Sequence, residues 1–142
     1  MARFYSKEWV DQVTQKCATD AAYLKKAKNY TTPMLYLITD CPDGNDVKLW
    51  IDFQAGKMAK VVYKMAKAPS DFRTEPWNES ISLCRIIGSY ATYMKLQKRE
   101  LTAMGALSSK LYKIEGDYIK IMAHLGNFTA ALDLWATVPC EY

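Results

Sequence analysis

The chain has 142 residues, half of them apolar, about a quarter charged, and a formal net charge of +4. That size and content suit one domain spanning 1–142 and exclude a disordered chain or one that needs disulfide or metal staples. No apolar run approaches the roughly 20 residues that cross a bilayer, and Lys7 and Glu8 interrupt any signal-like stretch at the start, so a cytoplasmic location is expected.

Ser6 is a good N-cap, and Trp9, Val10, Val13, Cys17, Ala21 and Leu24 fall on one stripe, which predicts an amphipathic helix over roughly 6–28. Lys25, Lys26 and Lys28 end it, where cations complement the helix dipole. Met34–Asp40 is rich in β-formers and leads into the turn chemistry of Cys41–Asp46. Val47, Leu49, Ile51 and Phe53 then alternate with polar residues. After the turn Ala55-Gly56-Lys57, Val61, Tyr63 and Met65 do the same, completing a three-stranded antiparallel meander. Asp40, Asp43 and Asp46 lack calcium-loop spacing and read as turn acids.

Ala68–Glu79 carries two prolines and is expected to be a long irregular connection, with Trp77 covering a core edge or a cavity mouth. Ser80–Gly88 is largely apolar, as in a central strand. Helices are predicted at Ser89–Lys98 and Leu101–Leu107, a fifth strand at Lys110–Glu115, and a helix at Asp117–Leu125 with Tyr118, Ile121, Met122 and Leu125 on one side. Asn127 is a candidate cap for a last helix carrying Phe128, Ala131, Leu132 and Trp135. The expected fold is α+β, a mainly antiparallel sheet of about five strands with helices on one face.

Catalytic readings find little support. His124, the only histidine, shares a polar helix stripe with Asp117 and Lys120, and is expected to be solvated. Gly116 suits a sharp exit from a strand and Asp117 suits a helix cap, which leaves no nucleophile and base converging as in a triad. Cys17, Cys41, Cys84 and Cys140 are far apart, so a zinc site is not expected and reduced thiols are. No phosphate-binding loop implies a nucleotide cofactor. The basic residues lack the interleaved aromatics of a nucleic-acid binder. The apolar side, with seven methionines and many aromatics, suits either a plain core or an apolar ligand cavity.

Three short motifs bear on that choice. Lys110-Leu111-Tyr112-Lys113-Ile114-Glu115-Gly116-Asp117 resembles the G-K-L-x-I-x-G-D segment of sterol carrier protein (type two) lipid-binding domains. Asp52 to Lys57 is similar to that family's D-x-x-x-G-K hairpin, and Gly88-Ser89-Tyr90 to its strand-to-helix junction. The departures are Ser109 in place of a glycine, a G-E-L-D-P motif reduced to Glu100-Leu101, and a longer segment around 68–79.

The resemblance implies a hydrophobic tunnel between sheet and helices, and a non-catalytic intracellular carrier of a fatty acid, fatty acyl-CoA, sterol or similar apolar ligand. It implies at most transient membrane contact. From the inward faces of the predicted elements, the lining would be Tyr63, Met65, Met94, Met104, Met122, Leu125, Phe128, Leu132 and Trp135, with Gln97 a polar contact. The alternative is an accessory or dimerisation module that meets a second copy or a partner enzyme through the other sheet face, using Trp50 and Leu111.

Overall fold

The computed structural model describes residues 1–142. Ser6 caps the first helix, α1 (Lys7–Thr19), by accepting from the Trp9 amide, and Trp9, Val10, Val13 and Cys17 are fully buried along it. The expected single helix over 6–28 is instead two. Asp20 leaves helical geometry at ψ 107°, and its carboxylate caps α2 (Ala21–Lys26) by accepting from the Tyr23 amide. The break aims α2 at the turn around Gly56, whose carbonyl accepts from the Tyr23 hydroxyl at 2.6 Å.

The meander forms as expected, from β1 (Thr32–Thr39), β2 (Asn45–Gln54) and β3 (Lys57–Lys67). Ala55 and Gly56, both at positive φ, close the second hairpin, a geometry that suits the twist of paired strands. Val47, Leu49, Ile51 and Phe53 are wholly buried on one side, opposite Met34, Tyr36 and Ile38 of β1. Beyond β4 (Cys84–Ser89) come α3 (Tyr90–Gln97), α4 (Ala103–Ser108), β5 (Lys113–Gly116), α5 (Tyr118–Ala123) and α6 (Leu125–Trp135). The strand order is β3-β2-β1-β4-β5. Three pairings are antiparallel, but β4 runs parallel to β1, so the sheet is mixed.

That parallel pairing requires a crossover. Residues 68–83, with a short 3-10 turn at Asp71–Thr74, carry the chain from the β3 edge across the sheet side facing away from the helices. This strap is fastened rather than loose. Buried Asp46 accepts from Arg73, from the Ser70 amide and hydroxyl, and from the Asp40 amide. Burial alone would raise the Asp46 carboxyl, but these donors hold it well below the usual carboxylate range. Lys48 pairs with Glu75, and Trp50 donates its indole N–H to the Ile81 carbonyl at 2.9 Å. Trp50 therefore lies half-buried beneath the strap, which corrects its expected role on an open interaction face.

Helix ends are capped by local side chains: Ser89 accepts from Thr92 N–H, Thr102 from Gly105 N–H and Asp117 from Lys120 N–H. Each such cap contributes about 1 kcal/mol. The last helix differs from expectation. It starts at Leu125 with His124 at the cap position and no side-chain cap, so Asn127 lies inside the first turn, where its Nδ2 engages His124 Nδ1 at 3.1 Å.

Candidate functional site

The helix-facing side of the sheet is the side on which a ligand tunnel was expected. The layers there meet closely. Trp135 is 1% exposed, packs edge-on against Trp9 and Tyr36, and donates its indole N–H to Cys17 Sγ. The interior is aromatic rather than methionine-rich: only Met34 and Met58 are buried, whereas Met65 and Met104 are about half exposed. Met65, near the end of the edge strand β3, and Met104, on the six-residue α4, lie beyond the packed layer.

Two small voids remain between the layers. One of about 20 Å³ is lined by Tyr30, Met34, Cys84, Ile121, His124 and Leu125 among others. A second of about 10 Å³ is lined by Tyr5, Tyr36, Tyr93, Tyr112, Leu132 and their neighbours. Ile86, Leu107, Ile114 and Phe128 line both, so they form the partition between them. Each void is about the size that admits a single water, and the linings are almost wholly apolar.

Polar groups at these voids are few. Tyr93 donates to the Ile86 carbonyl and Tyr112 to the Thr92 carbonyl, each at 2.8 Å. The Tyr30 and Tyr36 hydroxyls lie near one another and have no hydrogen-bond partner apart from each other. Burial raises both phenols above their ordinary value and pushes the Cys84 thiol up to about 12. A buried hydroxyl without a partner is costly and is an anchor for any ligand that supplies one.

Of the residues expected to line a tunnel, the fold brings Leu125, Phe128 and Leu132 to the voids. Gln97 instead donates to the Trp135 carbonyl and Tyr63 to the Tyr5 carbonyl, while Met94 and Met122 are half-buried beside the voids' helices. His124 is not on a solvated face. It is half-buried, lines the first void, and its ring centroid lies 5.9 Å from that of Tyr30. Among the lining residues that the expected set lacked are Tyr30, Tyr36, Ile86 and Ile114. Alternation along β1 could have marked Tyr36 as inward, but nothing local distinguishes Tyr30.

The cover over the voids is thin. Helices α4 and α5 have six residues each, α5 has no buried residue, and its Tyr118 and Ile119 are 64% and 79% exposed. A short helix with so little buried surface opens at low cost. No helix in the structure is long and apolar enough to cross a membrane. A larger cleft, about 250 Å³, lies on the opposite face of the sheet beneath the strap.

A mixed sheet of this order, with its helices on one face and a crossover strap on the other, can be matched to solved structures. A crystal structure of sterol carrier protein 2 superposes with a TM-score of 0.73 over 96% of this chain and 100% of that one, at 15% identity. This chain has the sterol carrier protein 2 fold. A conserved hypothetical protein from Thermus thermophilus gives a TM-score of 0.68 over 99% of this chain and 93% of the other, at 14% identity. Palmitated sterol carrier protein 2-like 2 from Aedes aegypti gives 0.50 over 98% and 100%, at 11% identity. No protein-family model and no curated protein matches the sequence. The sterol carrier protein 2 likeness thus resides in element order and geometry, with few shared residues.

Proposed function

We propose that residues 1–142 act as a single lipid carrier, which holds a fatty acid or another single-chain apolar ligand between the sheet and its helical layer and does not transform it. The observation that carries this reading is the pair of apolar voids that share a partition beneath the weakly buried α4–α5 cover. Palmitated sterol carrier protein 2-like 2 of Aedes aegypti has the same fold, and its acyl chain supports the ligand class.

A chain of lipid size exceeds the closed voids, so loading requires α4 and α5 to move outward. Phe128, Leu125 and Leu132 then form the inner wall, and Met94, Met104 and Met122 on α3, α4 and α5 supply adaptable surface near the opening. The Tyr30 and Tyr36 hydroxyls offer hydrogen bonds to a headgroup oxygen. Burying apolar ligand surface at roughly 25 cal/mol per Å² drives binding. A cytoplasmic location fits four unpaired cysteines.

Native mass spectrometry of gently purified protein, paired with displacement of a fluorescent fatty acid, tests the proposal. An acyl-chain adduct at one-to-one stoichiometry is expected. A protein that is empty, and that binds neither acyl chain, acyl-CoA nor sterol, would refute it.

A further inference from the structure

The cleft beneath the strap is a second cavity, and carriage between sheet and helices leaves it unused. It is open to solvent on one side and holds about 250 Å³. Its apolar walls include Leu35 and Leu37 of β1, Trp50 of β2, Val62 of β3, and Phe72 and Ile81 of the strap. An apolar cavity of about 150 Å³ accepts benzene. The present volume therefore has room for one aromatic ring with a short side arm, or a medium-length alkyl chain.

Charge is unevenly placed around this space. Lys48, Lys64 and Arg85 line it against a single carboxylate, Glu75. Lys48 is matched by Glu75, but Lys64 has no carboxylate partner. Arg85 is only 7% exposed. Its Nη2 donates to Glu115 and its Nη1 to the Glu75 carbonyl, while the buried Nε has no acceptor. Lys64 is thus the free cation at the cleft, and with the buried Arg85 guanidinium in the wall it favours an anionic ligand. The cleft is also preorganised, since Trp50 bonds to the Ile81 carbonyl and Arg73 ties the strap to Asp46.

We propose that this cleft binds a small organic carboxylate, its single ring or medium-length chain seated among Trp50, Leu37 and Phe72 and its carboxylate drawn to Arg85 and Lys64. The sheet separates it from the helix-side voids, so it does not depend on the carrier reading.

Isotope-labelled protein titrated with phenylpropionate and with octanoate tests the site, with phenylpropanol and octanol as uncharged counterparts. Saturable shifts of the Trp50 indole N–H and the Ile81 amide are expected. The alcohols should bind about tenfold more weakly, and Lys64→Glu should weaken the acids about tenfold. Val62→Trp should abolish these shifts by filling the cleft, while fluorescent fatty-acid displacement stays as in the parent protein. The unfolding midpoints of both variants serve as the check on folding, and Lys64 is exposed enough to leave it unchanged. No saturable shift at Trp50 and Ile81 with millimolar carboxylate overturns the proposal. Equal affinity for acids and alcohols also overturns it, as do shifts confined to Phe128 and Leu132.

Discussion

Arg73 grips Asp46 with two hydrogen bonds of 2.8 Å, Nε to Oδ2 and Nη2 to Oδ1. This contact joins the strap to the start of β2 across the sheet side that carries no helices. Asp46 is completely buried, so its charge is tolerable only because Arg73, Ser70 and the Asp40 amide surround it.

Asp46→Asn should therefore destabilise the protein by about 3 kcal/mol at neutral pH, because it leaves Arg73 facing a neutral amide. The native carboxyl is held below its unfolded value, so its stabilisation is fully present above about pH 4 and is lost as pH falls toward the native value. Urea unfolding of parent and variant at neutral and acidic pH measures this. The gap between them should narrow below about pH 4, and a gap independent of pH would contradict it.

Phe128→Ala should merge the two helix-side voids by removing their shared partition. The expected cost is about 3–5 kcal/mol, made of lost burial and residual cavity. A fatty acid added in excess should recover more stability in the variant than in the parent, read as the shift in melting temperature. Equal shifts would mean that the merged space is not where the chain goes.

Thiol chemistry should single out one cysteine. Cys17, Cys41 and Cys84 are buried, and burial pushes the Cys41 and Cys84 thiols up to about 12, where almost no thiolate exists at neutral pH. Burial raises the Cys140 thiol too, but Cys140 is only half-buried, so its accessibility sets it apart from the other three. Titration with a chromogenic disulfide should show a single prompt thiol, removed by Cys140→Ser. Two or more prompt thiols would show that the core opens more readily than its packing implies.

Gly116→Ala should cost about 1–3 kcal/mol. Gly116 has φ +147°, and a Cβ there would lie 2.9 Å from the Leu83 carbonyl oxygen. Hydrogen exchange should show the loss concentrated at the β5–α5 junction. Unchanged protection there would mean that the backbone relaxes into ordinary extended geometry.

Strand β2 was legible because one buried face imposes a period of two, and its inward residues Val47, Leu49, Ile51 and Phe53 are fully buried, whereas on the edge strand β3 only Met58 is. Ser6 and Asp117 were legible as caps because a cap bonds to an amide three residues ahead. The break at Asp20 was not legible. The apolar stripe continues through it, and only the position of Gly56 in space calls for α2 to turn. The candidate lining was legible only on α6, where Phe128 and Leu132 share a helical face directed at the sheet. For Met65 and Met104 the predicted apolar face exists, but the packing layer does not extend over it.

By itself the sequence determined the antiparallel meander, the caps at Ser6 and Asp117 and the apolar face of α6, because each is dictated by neighbours within a few residues. Only the tertiary structure decided that β4 lies parallel to β1, that the strap covers Trp50, and that the helix-side space is nearly filled. These depend on contacts between distant segments such as Arg73 with Asp46 and Ile81 with Trp50, whose pairing no local pattern encodes.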